Sequence, residues 1–462
     1  MSTSSRPSST VERDLRALLG ADAVLPGTPA AYLSDETETR GLHGHAEAVC
    51  LPADAEQVAS AVAWCYERGI PIVPRGGGTG YAGGAVPTEG GVVVALERMA
   101  RVRSFDPLLW RIEVEAGVRT ADLRRIVRES GLYFPPDPGA AEQSQIGGNV
   151  ATNAGGPHAF KYGVTGAWVT GLEAVLAPGE LVRIGGAIRK DVAGYDVKKL
   201  LIGSEGTLGV VTSVWLRLIP PPETSLPVVG FYRDIASGTA AIAAVLGNGI
   251  AAAALEYLDA GALDAARGSF PAPVPEAARF MVIAEADGSG NEAGRLQAEL
   301  REALADGAET VRAPAFAGDV AALWRWREGV SIAVTAQRGG KVSEDIVVPL
   351  DRLAEAVERT LEIGARHGLA TCSWGHAGDG NLHSTFMVDA HDAAELARAQ
   401  AAAEELFALA VELGGSISGE HGTGWVKRGQ LARQWSPRLL ELHDAVMDAF
   451  DPKGLMNPGK KQ

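Results

Sequence analysis

Cysteine is scarce in this sequence: Cys50, Cys65 and Cys372 are the only three in 462 residues, and no CxxC spacing occurs. An odd, scattered set excludes a disulfide framework, and it falls short of the four thiolates that an iron–sulfur cluster needs. Positive charge is also in deficit. Lys and Arg number 42 against 57 Asp and Glu, a net charge of −15. That balance argues against nucleic acid or an anionic membrane as partner, and an anionic substrate then needs dedicated Arg or Lys at its site. Long apolar runs are missing too. The most apolar stretch, Ala240–Leu255, is mostly alanine and is broken at Gly247-Asn248-Gly249, a poor membrane span. The opening residues MSTSSRPSST hold no apolar core of a secretory signal, so the cytoplasm is the expected location. No repeat of fixed period is visible.

What is present suits a globular chain of two or three domains, with 46% hydrophobic and 21% charged residues. Residues 1–43 read as a polar tail and a short helix. From Val49 a βαβ rhythm begins. Asp54 can cap a helix whose apolar Val58, Ala61, Val62 and Cys65 share one face, Gly69 stops it, and Ile70–Val73 reads as a strand. A second unit runs from a strand at Trp110–Glu115 through a helix capped by Thr120 to Gly131. Pro220-Pro221-Pro222 marks the clearest boundary. Beyond it, strands at Phe280–Ala284, Asp345–Val348 and Leu382–Val388 alternate with amphipathic helices. This pattern suits an antiparallel sheet with helices packed on one face, an α+β arrangement. The domains expected are thus 44–222, 223–415 and a C-terminal segment 416–462, which holds another glycine-rich loop, a helix from Pro437 and the tail PKGLMNPGKK.

Three segments are dense in glycine or small residues. In the first, Gly78-Thr79-Gly80-Tyr81-Ala82-Gly83 matches GxGxxG. A dinucleotide fingerprint needs a helix opening at its third glycine, whereas here Pro87 and Gly90-Gly91 follow, and then a strand. What remains is a strand–loop–strand unit whose successive N–H groups can form an anion nest. Taken alone, the loop fits an ordinary glycine-rich hairpin equally well. The second segment, 145–156 (QIGGNVATNAGG), carries Asn149, Thr152 and Asn153. The third, 190–216, places Glu205 in a Gly-Ser-Glu-Gly-Thr turn before an apolar strand at Leu208–Leu216.

Histidine stands in unusual company twice. GHAGDGNLH at 375–383 sets His376 and His383 at the ends of a glycine-rich turn, and SGEHGTGW at 418–425 contains Glu420-His421. Two imidazoles and a carboxylate with coordination positions left open form a catalytic rather than a structural metal set, and Zn²⁺, Mn²⁺ and Fe²⁺ all stay open on this chemistry. Satisfied polar residues in two loops are the plainer alternative. His43, His45, His158, His367, His391 and His443 have no partners at ligand spacing. Trp324–Thr335 reads as one amphipathic helix whose arginines would ordinarily be solvated.

In order and spacing, the three segments resemble the FAD-binding domain of the vanillyl-alcohol oxidase/p-cresol methylhydroxylase superfamily. Within it the likeness is to the branch of D-lactate dehydrogenase, D-2-hydroxyglutarate dehydrogenase and the glycolate oxidase FAD subunit, from about residue 40 to Pro458. The resemblance implies a two-lobed FAD domain of the p-cresol methylhydroxylase type and a cap domain bearing the substrate site. It implies a pyrophosphate cradle from Arg75, Gly76, Gly77, Gly78, Thr79, Gly80, Gly83 and Gly84. Further cofactor contacts are implied at Ile146, Gly147, Gly148, Asn149, Thr152, Asn153, Glu205, Val210 and Asn457. Some relatives attach the flavin through a histidine of the first loop. This loop has Thr79 and no histidine, so the implied FAD is non-covalent.

HxGDGNxH and GEHGxG are hallmarks of the same branch, and they imply a divalent metal, zinc foremost, beside the flavin on His376, His383 and Glu420. An Arg of the Trp324–Thr335 helix grips the substrate carboxylate in the family, and Arg327 aligns best. Relatives acting on dicarboxylates carry a Lys six residues before the Pro of the following strand, where this chain has Ser343. Lys341 is offset by two, which counts against 2-hydroxyglutarate. If Glu420 is a ligand, His421, pointing the other way in an extended stretch, is the candidate base. The reaction expected is oxidation of a small D-2-hydroxy acid such as lactate or glycolate at C2, with hydride passing to FAD. An external carrier or a partner electron-transfer protein would take the electrons, and a second copy of the chain is a candidate partner. The rivals are a non-catalytic FAD-binding subunit of a larger complex and a non-redox flavin enzyme of the ether-lipid synthase type.

Overall fold

The computed structural model describes residues 10–37, 41–314 and 317–462; the rest of the expected N-terminal tail, 1–9 and 38–40, lies outside them. By its contacts the chain forms two units. The first runs up to Ala154 and adds Val164–Pro221 and Glu420–Gln462. The second is Gly155–Gly163 with Pro222–Gly419.

The first unit begins with α1 (Thr10–Leu19), β1 (Ala48–Cys50), α2 (Ala55–Arg68), β2 (Ile72–Arg75) and β3 (Val92–Ala95). Helix α2 forms as its sequence requires: the Asp54 side chain accepts from Gln57 N–H at 2.8 Å, and Gly69 ends the helix at φ 67°. The Ile70 N–H closes the last turn onto Cys65 O, so the strand expected from Ile70 starts at Ile72. The three strands are parallel, in the order β1-β3-β2. Apolar clusters cover both faces, Cys50, Ile72, Val92 and Val94 on one side and Val49, Val73, Val93 and Ala95 on the other, which explains the unbroken apolar run of β3. Because β2 and β3 run the same way, the loop 76–91 between them is not a hairpin.

The same unit holds a five-stranded antiparallel sheet in the order β4-β5-β8-β6-β7. Its strands are β4 (Val102–Asp106), β5 (Arg111–Glu115), β6 (Val169–Leu176), β7 (Glu180–Gly185) and β8 (Val210–Arg217), accompanied by the helices α3 (Thr120–Glu129) and α4 (Ile146–Thr152). Thr120 is the first helical residue of α3 and not its cap; Arg119 holds that position without a side-chain bond. The Thr120 hydroxyl is buried against Ser144 Oγ (2.8 Å) and Asn149 Nδ2 (2.7 Å) instead.

The second unit is built on seven strands, all antiparallel, in the order β12-β9-β11-β10-β14-β15-β13. They are β9 (Thr224–Tyr232), β10 (Ala254–Leu258), β11 (Phe280–Gly288), β12 (Thr310–Arg312), β13 (Gly340–Val347), β14 (Ala370–His376) and β15 (Asn381–Val388). Four long helices, Ile235–Gly247, Gly290–Ala303, Leu353–Arg366 and Ala393–Glu412, pack together on one face, as the amphipathic patterns predict. There Tyr232 OH donates to Leu304 O and Thr360 Oγ1 meets Ser384 Oγ. The other face is not bare. Shorter helices at Ala260–Ala266, Ala317–Glu328 and Val330–Arg338 sit over Val229, Phe231, Leu258, Met281, Cys372 and Trp374. The single helix expected at Trp324–Thr335 is therefore two, parted at Gly329.

Candidate active site

Strand register decides which side chains of the second unit meet. Glu256 of β10 lies opposite His376 of β14, His376 opposite Asn381 of β15, and His383 opposite both Trp374 and Asp345 of β13. With side chains alternating every residue, Glu256, His376, Asn381, His383 and Asp345 all share the face that carries the shorter helices. The glycine-rich turn is the tip of the β14–β15 hairpin. Gly380 takes φ +75° there, and a Cβ on it would collide with Val348 O. The two imidazoles meet edge to face with centroids 5.3 Å apart.

Glu256 was not foreseen from sequence. Its carboxylate is fully buried, with Oε1 2.7 Å from His376 Nδ1 and Oε2 2.5 Å from Arg327 Nη2. Burial alone would raise this carboxyl, but its contacts with His376 and Arg327 outweigh it and hold it below the usual range. Arg327 itself is only 6% exposed, and its Nε has no hydrogen-bond partner. The signal available in the sequence was a lone carboxylate inside the apolar strand ALEYL. Nearby on the same face, Glu285 is buried between His158 Nε2 (2.9 Å) and Trp324 Nε1 (2.6 Å), a partner for His158 that spacing did not reveal. Lys341 is turned onto Ser331 and lies over the Trp374 ring, while Ser343 Oγ meets Thr385 Oγ1 at 2.7 Å.

Asp345 accepts from Gly419 N–H (2.8 Å) and Ser418 Oγ (3.2 Å), which ties the end of the second unit to β13. Glu420 follows Gly419 by one peptide bond. Glu420 and His421 lie in a bend and not in an extended stretch. Their side chains approach to 3.7 Å and the His421 ring lies 4.8 Å from that of Tyr81, so alternation does not separate the two.

In the first unit, the loop after β2 leaves a run of backbone amides unpaired. Among the described residues, no backbone or side-chain group accepts from the amides of Gly76, Gly77, Gly78, Thr79 or Gly80. Arg75 does not point outward from it: its guanidinium donates to Ala31 O (2.7 Å), Ser34 O (2.8 Å) and Ala85 O (3.3 Å). Gly78, at φ +70°, leaves room for it, since a Cβ there would collide with Arg75 Nη2. Asn457 Nδ2 donates to Gly84 O (2.8 Å) and Glu205 O (2.7 Å), joining the first and third segments, and its Oδ1 is buried without a partner.

The other expected cofactor residues are mostly committed within the protein. Glu205 accepts from Thr423 N–H (2.9 Å) and Gly424 N–H (2.6 Å), with Lys461 Nζ at 3.2 Å. Asn149 donates to Thr120, Asn153 accepts from Gly166 N–H, and Thr152 donates to Gly148 O. Gly147 N–H donates to Ala116 O. Ile146 and Val210 are buried apolar residues. Gly83 and Gly84 complete the loop, Gly83 in a left-handed conformation.

Comparison with known proteins places these features in a family. Residues 46–185 match the family described as FAD binding domain, and residues 221–461 match FAD linked oxidases, C-terminal domain. A glycolate oxidase subunit of Bacillus subtilis is 36% identical over 415 residues, 90% of this chain and 88% of that protein. A D-lactate dehydrogenase of Anaerostipes hadrus is 33% identical over 423 residues, 90% and 89% of the two chains. Among solved structures, p-cresol methylhydroxylase with substrate bound superposes with a TM-score of 0.80 at 18% identity, covering 97% of this chain and 96% of that one, a likeness of fold. No helix among the described residues is long and apolar enough to cross a membrane.

Proposed function

Because this chain belongs to the family of FAD-linked oxidases, we propose that it oxidises a small monocarboxylic D-2-hydroxy acid, of the size of lactate or glycolate, to the 2-keto acid. The observation that carries this reading is Arg327: a guanidinium almost wholly buried, with Nε lacking a partner, on the sheet face that bears His376 and His383. In a chain of net charge −15, a buried cation with donor capacity to spare suits a substrate carboxylate, which a planar guanidinium grips in two-point fashion.

FAD, when bound, supplies the hydride acceptor. The unpaired amides of Gly76–Gly80 fit its pyrophosphate, and Asn457 Oδ1 adds a buried acceptor beside that loop. No histidine stands in the loop, so the flavin is held without a covalent bond. A divalent cation suits the donor set of His376, His383 and Glu420, two imidazoles and one carboxylate; it would lower the pKa of the substrate hydroxyl. His376 gives Nδ1 to Glu256, which leaves Nε2 as the nitrogen that a metal takes. His421 is the base that receives the hydroxyl proton, a role for which an imidazole nitrogen is the usual acceptor. The three cysteines are buried and unpaired and form no cluster, so electrons leave to an external carrier. Lys341 faces Ser331 and Ser343 carries no charge, which disfavours a second carboxylate on the substrate.

The test is anaerobic bleaching of the flavin by a panel of D- and L-2-hydroxy acids, with metal analysis of the same sample. Bleaching by short D-acids and about one divalent metal per chain are expected. A flavin that none of the acids reduces sinks the proposal and favours the non-redox or subunit role.

A further inference from the structure

The geometry points to Glu256 as a positioning residue that links the metal site to the carboxylate grip. This rests on the roles given above to His376 and Arg327. Glu256 sits on β10, inside the sheet between β11 and β14, and is 0% exposed. An unpaired carboxylate at such a place would be too costly to keep. Here Oε1 meets His376 Nδ1 at 2.7 Å, and Oε2 forms an ion pair with Arg327 Nη2 at 2.5 Å that lacks hydrogen-bond alignment.

The first contact sets a tautomer. A carboxylate only accepts, so His376 must carry its proton on Nδ1, and Nε2 presents a lone pair. The second contact sets a direction. The helix that carries Arg327 is already anchored by Trp324 Nε1 on Glu285 and Trp326 Nε1 on Ala266 O. Glu256 then fixes the end of the arginine itself, whose Nε has no hydrogen-bond partner in the protein. One carboxylate thus orients both groups, and any shift in one is felt by the other. Coupling of this kind is reciprocal: a carboxylate on Arg327 tightens the metal by the factor with which the metal tightens the carboxylate.

Glutamine distinguishes this role from a merely structural ion pair. In E256Q the amide oxygen turns to the charged arginine and its NH₂ to His376, which forces the proton onto Nε2, where it competes with metal. Removing the arginine as well, in E256Q/R327M, frees the oxygen to return to His376.

The probe is Mn²⁺ binding to the flavin-loaded protein, read by electron paramagnetic resonance with and without propionate, beside ¹⁵N shifts of the histidines in metal-free protein. E256Q should weaken Mn²⁺ by roughly 10–100-fold, move His376 to the Nε2–H tautomer and abolish the propionate effect. E256Q/R327M should regain Mn²⁺ affinity to within a few-fold of wild type and the Nδ1–H tautomer, still without response to propionate. E256Q within about twofold of wild type, or a double variant no tighter than E256Q, overturns the assignment. If E256Q does not fold, the double variant decides by the same recovery. Wild type that binds no Mn²⁺ sinks the metal reading and the link with it, whereas normal Mn²⁺ binding by E256Q sinks the link alone.

Discussion

Replacing Glu205 by alanine should loosen the first unit more than a single surface acid would. Its side chain is buried, and its carboxylate takes the amides of Thr423 and Gly424 at 2.9 and 2.6 Å. Alanine leaves both donors buried and unmet, at ~1–3 kcal/mol each, so the loss is about 2–6 kcal/mol. The Lys461 contact adds little, because that side chain is partly exposed. Residue 205 also keeps its left-handed backbone, φ 55°, without the bonds that hold it there. E205Q retains one acceptor oxygen and should lose roughly half as much. The assay is equilibrium urea unfolding followed by tryptophan fluorescence, with Trp425 adjoining Gly424, and by release of the flavin. An E205A protein within about 0.5 kcal/mol of wild type would refute the reasoning.

Other outcomes follow from the same structure. Acid precipitation should release intact FAD into the supernatant, because Thr79 offers no attachment; flavin retained in the pellet contradicts this. R327A should lower kcat/KM by an amount on the order of 2–4 kcal/mol, and a change of only a few-fold assigns the grip elsewhere. H421A should keep metal and FAD while flavin reduction slows by about 10²–10⁴. H376A, H383A and E420A should lose metal and keep FAD, and metal loss in H421A makes that residue a ligand. Burial pushes Asp259 up to about 7, above its unfolded value. The folded chain therefore takes up this proton first: the group's stabilisation is complete below its ordinary pKa and is lost as pH rises through about 7. Lowering pH from about 8 to about 5 should thus stabilise wild type relative to D259N, read from urea midpoints; parallel pH profiles count against it.

The legible parts of the fold were the local ones. Asp54, Gly69 and the apolar stripe between them specify α2, a helix of 14 residues with its two caps, and the glycine turn of HAGDGNLH specifies a hairpin that brings His376 and His383 together. Where long-range contacts intervene, local signals fail. Thr120 resembles a cap but spends its hydroxyl on Ser144 and Asn149. The side chains of Arg75 and Glu205 are held by backbone groups far away in sequence, partners that no local pattern names. Glu256 escaped notice because its partners are supplied by strand register and by a helix packed on the sheet, neither of which is written near residue 256.

The joint at Asn457 bears on how the chain leaves the ribosome. Ile72 N–H donates to Leu455 O, Asn457 N–H donates to Ile72 O, and the Asn457 amide clasps Gly84 from 373 residues downstream. The loop after β2 therefore lacks its Asn457 support until the 373 residues that separate Gly84 from Asn457 have been made. The second unit, continuous apart from Gly155–Gly163, can assemble earlier, while the flavin pocket waits for residues 420–462 to emerge. A nascent chain stalled before Leu455 should therefore fold its large antiparallel sheet and hold no flavin.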